Sequence, residues 1–146
     1  MSGNDPLMVV RDRRSRPALC APAPDRAQLR ELLVAASSAP DHGRLRPWRF
    51  IVIEGASLGP LGDAFASAHA EREPAATPTE LARSRTKPQR APLIVVVVAA
   101  PKEHPKVPVW EQRAAAVCVA HGLTLAAHAV GFGAMWRTGW YGDAPK

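Results

Sequence analysis

Apolar and polar positions along this chain fall into blocks whose period changes, and the longest block runs from Val107 to Thr138. It opens as Val107-Pro108-Val109-Trp110-Glu111-Gln112-Arg113 and continues as an almost unbroken run of small apolar residues from Ala114 to Val130. It breaks at Gly131-Phe132-Gly133 and leaves as Ala134-Met135-Trp136-Arg137-Thr138. Pro108 suits the first turn of a helix, where its missing N–H is not needed. Gly131 suits the position just past a helix end, where a left-handed conformation is common. The pattern predicts a helix of about 22 residues, about 33 Å long. A helix this apolar on every side is expected to be buried in a core. His121, Thr124 and His128 interrupt the run, and alanine is only weakly hydrophobic, so a membrane span is set aside.

The remaining blocks are shorter. Pro6 to Asp12 suits a short helix leading into Arg13-Arg14-Ser15-Arg16-Pro17. Asp25 suits the N-cap of a helix through about Ser37, with Leu29, Leu32, Leu33 and Ala36 on one face. Ala39-Pro40-Asp41-His42-Gly43 ends that helix and starts a loop to Pro47. Trp48 to Glu54 reads as a strand, and Leu58 to about Arg72 as a helix. Pro74 to Thr79 reads as a connector and Glu80 to Lys87 as a short charged helix, with residues 73–90 expected to be the most mobile part. Leu93-Ile94-Val95-Val96-Val97-Val98-Ala99 is an uninterrupted, mostly β-branched run, predicted as a central strand covered on both faces. Phe132 to Thr138 is predicted as a third strand, and Trp140 to Pro145 as a turn-like tail. Strands alternating with helices give an α+β arrangement, or a three-layer α/β one. Three strands are few for so apolar a centre.

Composition adds bounds. The 146 residues suit a single domain with a real core, and the 15 prolines imply many turns. Met1-Ser2-Gly3-Asn4-Asp5 is polar and no apolar signal region follows, so a cytoplasmic location is expected. Two cysteines, Cys20 and Cys118, make no disulfide framework, and Cys118 is expected as a small buried hydrophobe. The net charge is +6, and 15 of the 19 basic residues are arginine. Residues 1–50 hold nine arginines against five acids, so the excess is N-terminal. Such charge suits a phosphorylated small ligand or nucleic acid, and equally a solvated surface.

Few motifs carry chemistry. Arg13-Arg14-Ser15-Arg16 offers guanidinium forks and a hydroxyl, a combination able to hold a phosphate and a hydroxylated chain. Arg137, flanked by Trp136 and Thr138, is a second basic element. Gly131-Phe132-Gly133 lacks a third glycine and follows a helix, so it is no dinucleotide fingerprint. His121 and His128 lie seven apart without a third ligand and are read as core or interface histidines, so no metal site is expected. Cys118 and His121 are not at a diagnostic nucleophile spacing. His42, in a loop beside Pro47-Trp48, is the better functional candidate.

Four segments, in order, resemble the FMN-dependent nitroreductase family, and most closely its compact bacterial NAD(P)H nitroreductases. They are Arg13-Arg14-Ser15, Ala39-Pro40-Asp41-His42 to Pro47-Trp48-Arg49-Phe50, Val107-Pro108 to Trp110-Glu111-Gln112, and Gly131-Phe132-Gly133 to Trp136-Arg137-Thr138. The resemblance implies an α+β, three-layer fold with a mixed sheet around the long helix, and an intertwined homodimer with FMN at its interface. It implies that Arg13, Arg14 and Ser15 contact the flavin phosphate and ribityl chain, and that Arg137, with Trp136 and Thr138, forms a second phosphate clamp. Ser38 and His42 are expected to approach the flavin from the other subunit. Ala126, Ala127, His128, Ala129, Val130 and Gly131 correspond to the nicotinamide nucleotide region. No side chain is expected as an obligatory acid or base.

Two departures stand out. Arg46 occupies a position where such proteins often have Gln. Similar proteins also continue for about forty residues past Lys146, so the single domain is expected to lack its C-terminal segment. The resemblance implies NAD(P)H-driven, ping-pong reduction of nitroaromatic or quinone-like acceptors, without nucleic acid or membrane as partner. The alternatives are a flavin-dependent dehydrogenase or another reaction on the same fold, and a non-catalytic flavin- or nucleic-acid-binding module.

Overall fold

The computed structural model describes residues 6–142, so the polar leader 1–5 and the end of the predicted tail, 143–145, lie outside the described residues. Five helices and two strands follow one another: α1 (Pro6–Asp12), α2 (Arg26–Ala36), β1 (Trp48–Glu54), α3 (Leu58–Arg72), α4 (Pro78–Arg85), β2 (Leu93–Ala99) and α5 (Val109–Ala129). Three-residue 3-10 turns at His42–Arg44, Gly55–Ser57 and Trp140–Gly142, and a four-residue one at Lys87–Arg90, fill the connections. The fold is α+β. Among the described residues no helix is long and apolar enough to cross a membrane.

Caps explain where the helices begin. The Asp25 carboxylate accepts the Gln28 N–H at 2.8 Å while the Gln28 side chain accepts the Asp25 N–H at 2.9 Å, a reciprocal capping box. A second box, between Thr77 and Glu80, starts α4 with Pro78 in its first turn. That box moves the short charged helix to 78–85, ahead of the predicted 80–87, and turns the end of the expected connector into helix. The stretch expected to be most mobile holds two buried residues, Ser84 and Pro88, so it is packed rather than loosely attached.

β1 and β2 form a two-stranded sheet. The Ala100 N–H donates to the Pro47 carbonyl at 2.8 Å, so the start of β1 lies beside the end of β2, as an antiparallel pair requires. The predicted third strand at 132–138 is absent. In its place one isolated parallel bridge joins Ser15 to Ala134. β2 is not covered on both faces either: none of its residues is fully buried, and Val96 and Ala99 are exposed. A central strand needs a neighbour on each edge and a layer on each face, and a two-stranded sheet cannot supply them.

Two compact units can be traced. The first contains residues up to Arg16, Ala23–Ile51 and Val95–Trp136; the second contains Pro17–Pro22, Val52–Ile94 and the chain from Arg137. In the first, α5 packs on α2 and α1. Its buried positions are Gln112, Ala115, Ala116, Val119 and Ala127, at helical spacing along one side. Ala36 of α2 meets Gly122 closely enough that an added Cβ would sit 3.6 Å from the Ala36 backbone. The expectation of burial on every side is therefore corrected. Trp110 is 70% exposed, and Val109, Val117 and Val130 are exposed with it. Cys118 faces the same way and is exposed, not a buried hydrophobe. Packing on one side leaves apolar residues of the helix in solvent.

In the second unit α3 packs on α4. A polar chain ties them to the 140–142 turn: Lys87 Nζ donates to the Tyr141 hydroxyl at 2.6 Å, Tyr141 donates to Ser84 Oγ at 3.1 Å, and Ser84 lies 2.8 Å from His69 Nδ1. Tyr141 is stacked between Phe65 and Trp140, with ring centroids 4.3 and 3.8 Å away.

Candidate functional site

The end of α5 positions most of the predicted residues of the first unit. Gly131 has φ 89, the left-handed conformation that glycine adopts without a Cβ penalty. The Phe132 N–H donates to the Ala127 carbonyl at 2.9 Å and the Gly131 N–H to His128 at 3.1 Å, the paired bonds of a Schellman motif. The carbonyls of the last turn are thereby satisfied and the chain reverses. Within the predicted nucleotide region, Ala129, Val130 and Gly131 are exposed, Ala126 and His128 half-buried, and Ala127 buried.

The reversed chain then meets the N-terminal arginine segment. Ser15 and Ala134 form the parallel bridge, and the Arg16 N–H donates to the Ala134 carbonyl at 3.1 Å. Arg13-Arg14-Ser15 consequently runs alongside the segment leading to Trp136, although about 120 residues separate them in sequence. Arg14 turns its guanidinium back, donating to the Arg11 and Arg13 carbonyls. Arg13 is half-buried and Ser15 exposed, and among the described residues neither side chain has a hydrogen bond or ion pair. A guanidinium fork and a hydroxyl on one short extended segment suit a phosphate and an adjoining polyol.

An open groove of about 570 Å³ lies between α2 and α5, lined by Ala35, Ala36, Ser38, Ala39, Pro40, Val117, Cys118, His121, Gly122 and Trp136. It brings Ser38 and Trp136 to one surface. Small side chains on both helices open its floor. Ser38 is anchored by donating its hydroxyl to the Ala35 carbonyl at 2.8 Å.

His42 stands apart from that groove, on the 3-10 turn between α2 and β1. Its Nδ1 lies 2.8 Å from Glu111 Oε1 at the start of α5. A carboxylate can only accept, so Nδ1 carries the proton and Nε2 is the nitrogen turned away from Glu111. Next to Glu111, Gln112 is the residue that sequence reasoning missed. It is 1% exposed and makes three bonds with the loop before α5: to the Lys102 N–H, the Lys102 carbonyl and the Val107 carbonyl, at 2.9, 2.8 and 3.0 Å. A lone amide in the first turns of an apolar helix was the available signal. Arg137 and Thr138 open the last segment of the second unit, and both are exposed.

Comparison with known proteins shows what the chain is similar to. The model of the nitroreductase family fits residues 10–144. The provisionally named NAD(P)H nitroreductase YdjA of Escherichia coli (strain K12) is 40% identical over 143 residues, which is 97% of this chain and 76% of that protein. A nitroreductase-like family protein from Bacillus cereus shares the fold at a TM-score of 0.84 and 24% identity, over 99% of this chain and 75% of its own. A nitroreductase-type protein from Desulfovibrio desulfuricans, solved in complex with FMN, aligns at a TM-score of 0.69 and 25% identity, over 94% of this chain and 70% of its own. With the family model spanning nearly the whole chain and a curated relative at 40% identity, the chain belongs to the nitroreductase family.

Proposed function

We propose that this protein is an FMN-dependent oxidoreductase that uses NAD(P)H to reduce nitroaromatic or quinone-like acceptors by a ping-pong mechanism. The observation that carries the reading is the Ser15–Ala134 bridge, which sets Arg13 and Ser15 beside the segment ending in Trp136. The donor set fits a flavin mononucleotide. Arg13 supplies a fork for the phosphate, Ser15 a hydroxyl for the ribityl chain, and Arg14 bonds the backbone of its own segment. Arg137 and Thr138, next in sequence after Trp136, are the second phosphate contact in this reading.

FMN supplies a reversible two-electron centre when bound. The protein binds it, orients it and controls access. Ala126, Ala127, His128, Ala129, Val130 and Gly131 are assigned to the nicotinamide nucleotide. Ser38 and His42 are assigned to the flavin held by a second subunit. A homodimer is supported by the exposed apolar side of α5, where Val109, Trp110 and Val117 face solvent in the single chain. We assign the protein to the cytoplasm and to a single flavin-binding domain.

The test is to purify the protein, release its flavin by denaturation, and assay NAD(P)H oxidation with nitroaromatic and quinone acceptors. Parallel-line kinetics with varied donor and acceptor are expected. A protein that retains FMN but reduces neither acceptor class points to dehydrogenation or another reaction on this fold.

A further inference from the structure

The turn between α2 and β1 holds two arginines that the flavin reading leaves without a role. Arg44 has φ 53 and Arg46 has φ 46, both in the left-handed region that non-glycine residues seldom occupy. Such conformations persist where the surroundings over-determine them, and they gather at ligand-holding segments. Here the surroundings do so. The Asp41 carboxylate accepts the Arg46 N–H at 2.6 Å, and the Asp41 carbonyl accepts the Arg44 N–H at 3.2 Å. The Arg46 carbonyl accepts the Trp48 N–H at 2.8 Å, and Pro47 between them is buried. The backbone is pinned from both sides. The one acid of the turn is engaged by the backbone, and His42 is engaged by Glu111. Both arginine side chains are exposed, and among the described residues neither guanidinium has an acidic partner.

We infer that Arg44 and Arg46 form a phosphate-monoester site that selects the nicotinamide donor bearing a 2′-phosphate on its adenosine ribose, so that NADPH is used in preference to NADH. The inference rests on the proposed NAD(P)H-dependent function. Two guanidinium forks two residues apart on one turn, with no acidic partner among the described residues, suit a dianionic phosphate, whereas a single carboxylate would be satisfied by one. Arginine is also the residue that accommodates this phosphate in other dinucleotide sites. The arginines lie two and four positions after His42, within about 14 Å of it by chain reach. A donor whose nicotinamide lies at the flavin can extend its adenosine end that far.

The test compares adenosine 2′,5′-bisphosphate with adenosine 5′-monophosphate by titration calorimetry on the full chain, and NADPH with NADH by kcat/KM. The variant is Arg44→Asn with Arg46→Asn, since asparagine tolerates the left-handed conformation and keeps the turn. The wild-type protein is expected to bind the bisphosphate at least about tenfold more tightly, and the double variant to lose that difference. The NADPH/NADH ratio of kcat/KM should fall by the same factor, with NADH kinetics and flavin content unchanged. Equal binding of the two nucleotides to a flavin-containing wild-type protein overturns the inference and leaves the flavin reading standing. Equal losses with NADH and NADPH in the variant overturn it as well. A flavin-free protein that still discriminates the 2′-phosphate overturns the flavin reading alone.

Discussion

Gln112 grips Lys102 by both edges of its side-chain amide, accepting the Lys102 N–H at 2.9 Å and donating to the Lys102 carbonyl at 2.8 Å. A strand-like exchange is thus made by one side chain, and its third bond, to the Val107 carbonyl, closes the loop onto the start of α5. The amide is fully buried, so its removal leaves backbone groups without partners. Gln112→Ala is expected to destabilise the fold by about 2–4 kcal/mol, read from the urea midpoint. Gln112→Glu keeps the shape but loses the donor, and should be at least as damaging.

Gly62 on α3 faces α4 so closely that a Cβ built there would stand 2.1 Å from the Arg85 carbonyl oxygen. Backbone cannot yield as a flexible side chain can. Gly62→Ala should therefore cost about 1–3 kcal/mol by forcing the helices apart. Gly59, with nothing near its missing Cβ, is the control. Gly59→Ala should be stabilising by up to about 1 kcal/mol through helix propensity. Thermal unfolding of the two variants separates packing from propensity.

Tyr141→Phe keeps the stack with Phe65 and Trp140 but breaks the bonds to Lys87 and Ser84. The expected loss is about 1–2 kcal/mol, with faster amide exchange around residues 140–142. Lys87→Met removes one bond and the cation over the ring, and should cost less than Tyr141→Phe.

The capping box of α4 gives a pH dependence of defined sign. The Thr77 N–H, then the Thr77 hydroxyl, hold the Glu80 carboxyl below its ordinary value of 4.5. Its folded value is lowered, so the stabilisation is fully present above the unfolded value and is lost as pH falls through the folded one. Protection of the amides of residues 79–81 against exchange, taken relative to the intrinsic rate at each pH, should fall on acidification below pH 4.5, and Glu80→Gln should remove that dependence. An acid-induced change of equal size in Glu80→Gln would assign the effect to another group.

Local chemistry made much of this fold legible. The bounds of α1, α2, β1, α3, β2 and α5 follow from caps, prolines and changes of period, and Gly131 was readable as the reversal after α5. The start of α4 was hidden because Thr77-Pro78 reads equally as connector and as cap; the Glu80 side chain decides it. The segment 132–138 has strand-like residues, but a strand exists only with a partner, and its single bridge partner, Ser15, lies far off in sequence. Periodicity also could not say that Cys118 and Trp110 face outward, because an all-apolar helix has no polar side to mark solvent. At the candidate site, Arg13, Ser15 and His42 were visible as residue types, whereas the Glu111 partner of His42 and the left-handed Arg44 and Arg46 depend on geometry that spacing does not encode.

The central claim is that the segment carrying Arg13 and Ser15, bridged to Ala134, holds a flavin mononucleotide. The most direct measurement is the visible absorption spectrum of the purified protein, before and after anaerobic addition of NADPH, for wild type and Arg13→Ala. The expected wild-type result is a yellow protein that releases FMN on denaturation and is bleached by NADPH, with Arg13→Ala retaining about tenfold or more less flavin after dialysis. A folded wild-type protein that stays colourless after incubation with FMN would contradict the claim, as would an Arg13→Ala variant that holds flavin as tightly as wild type.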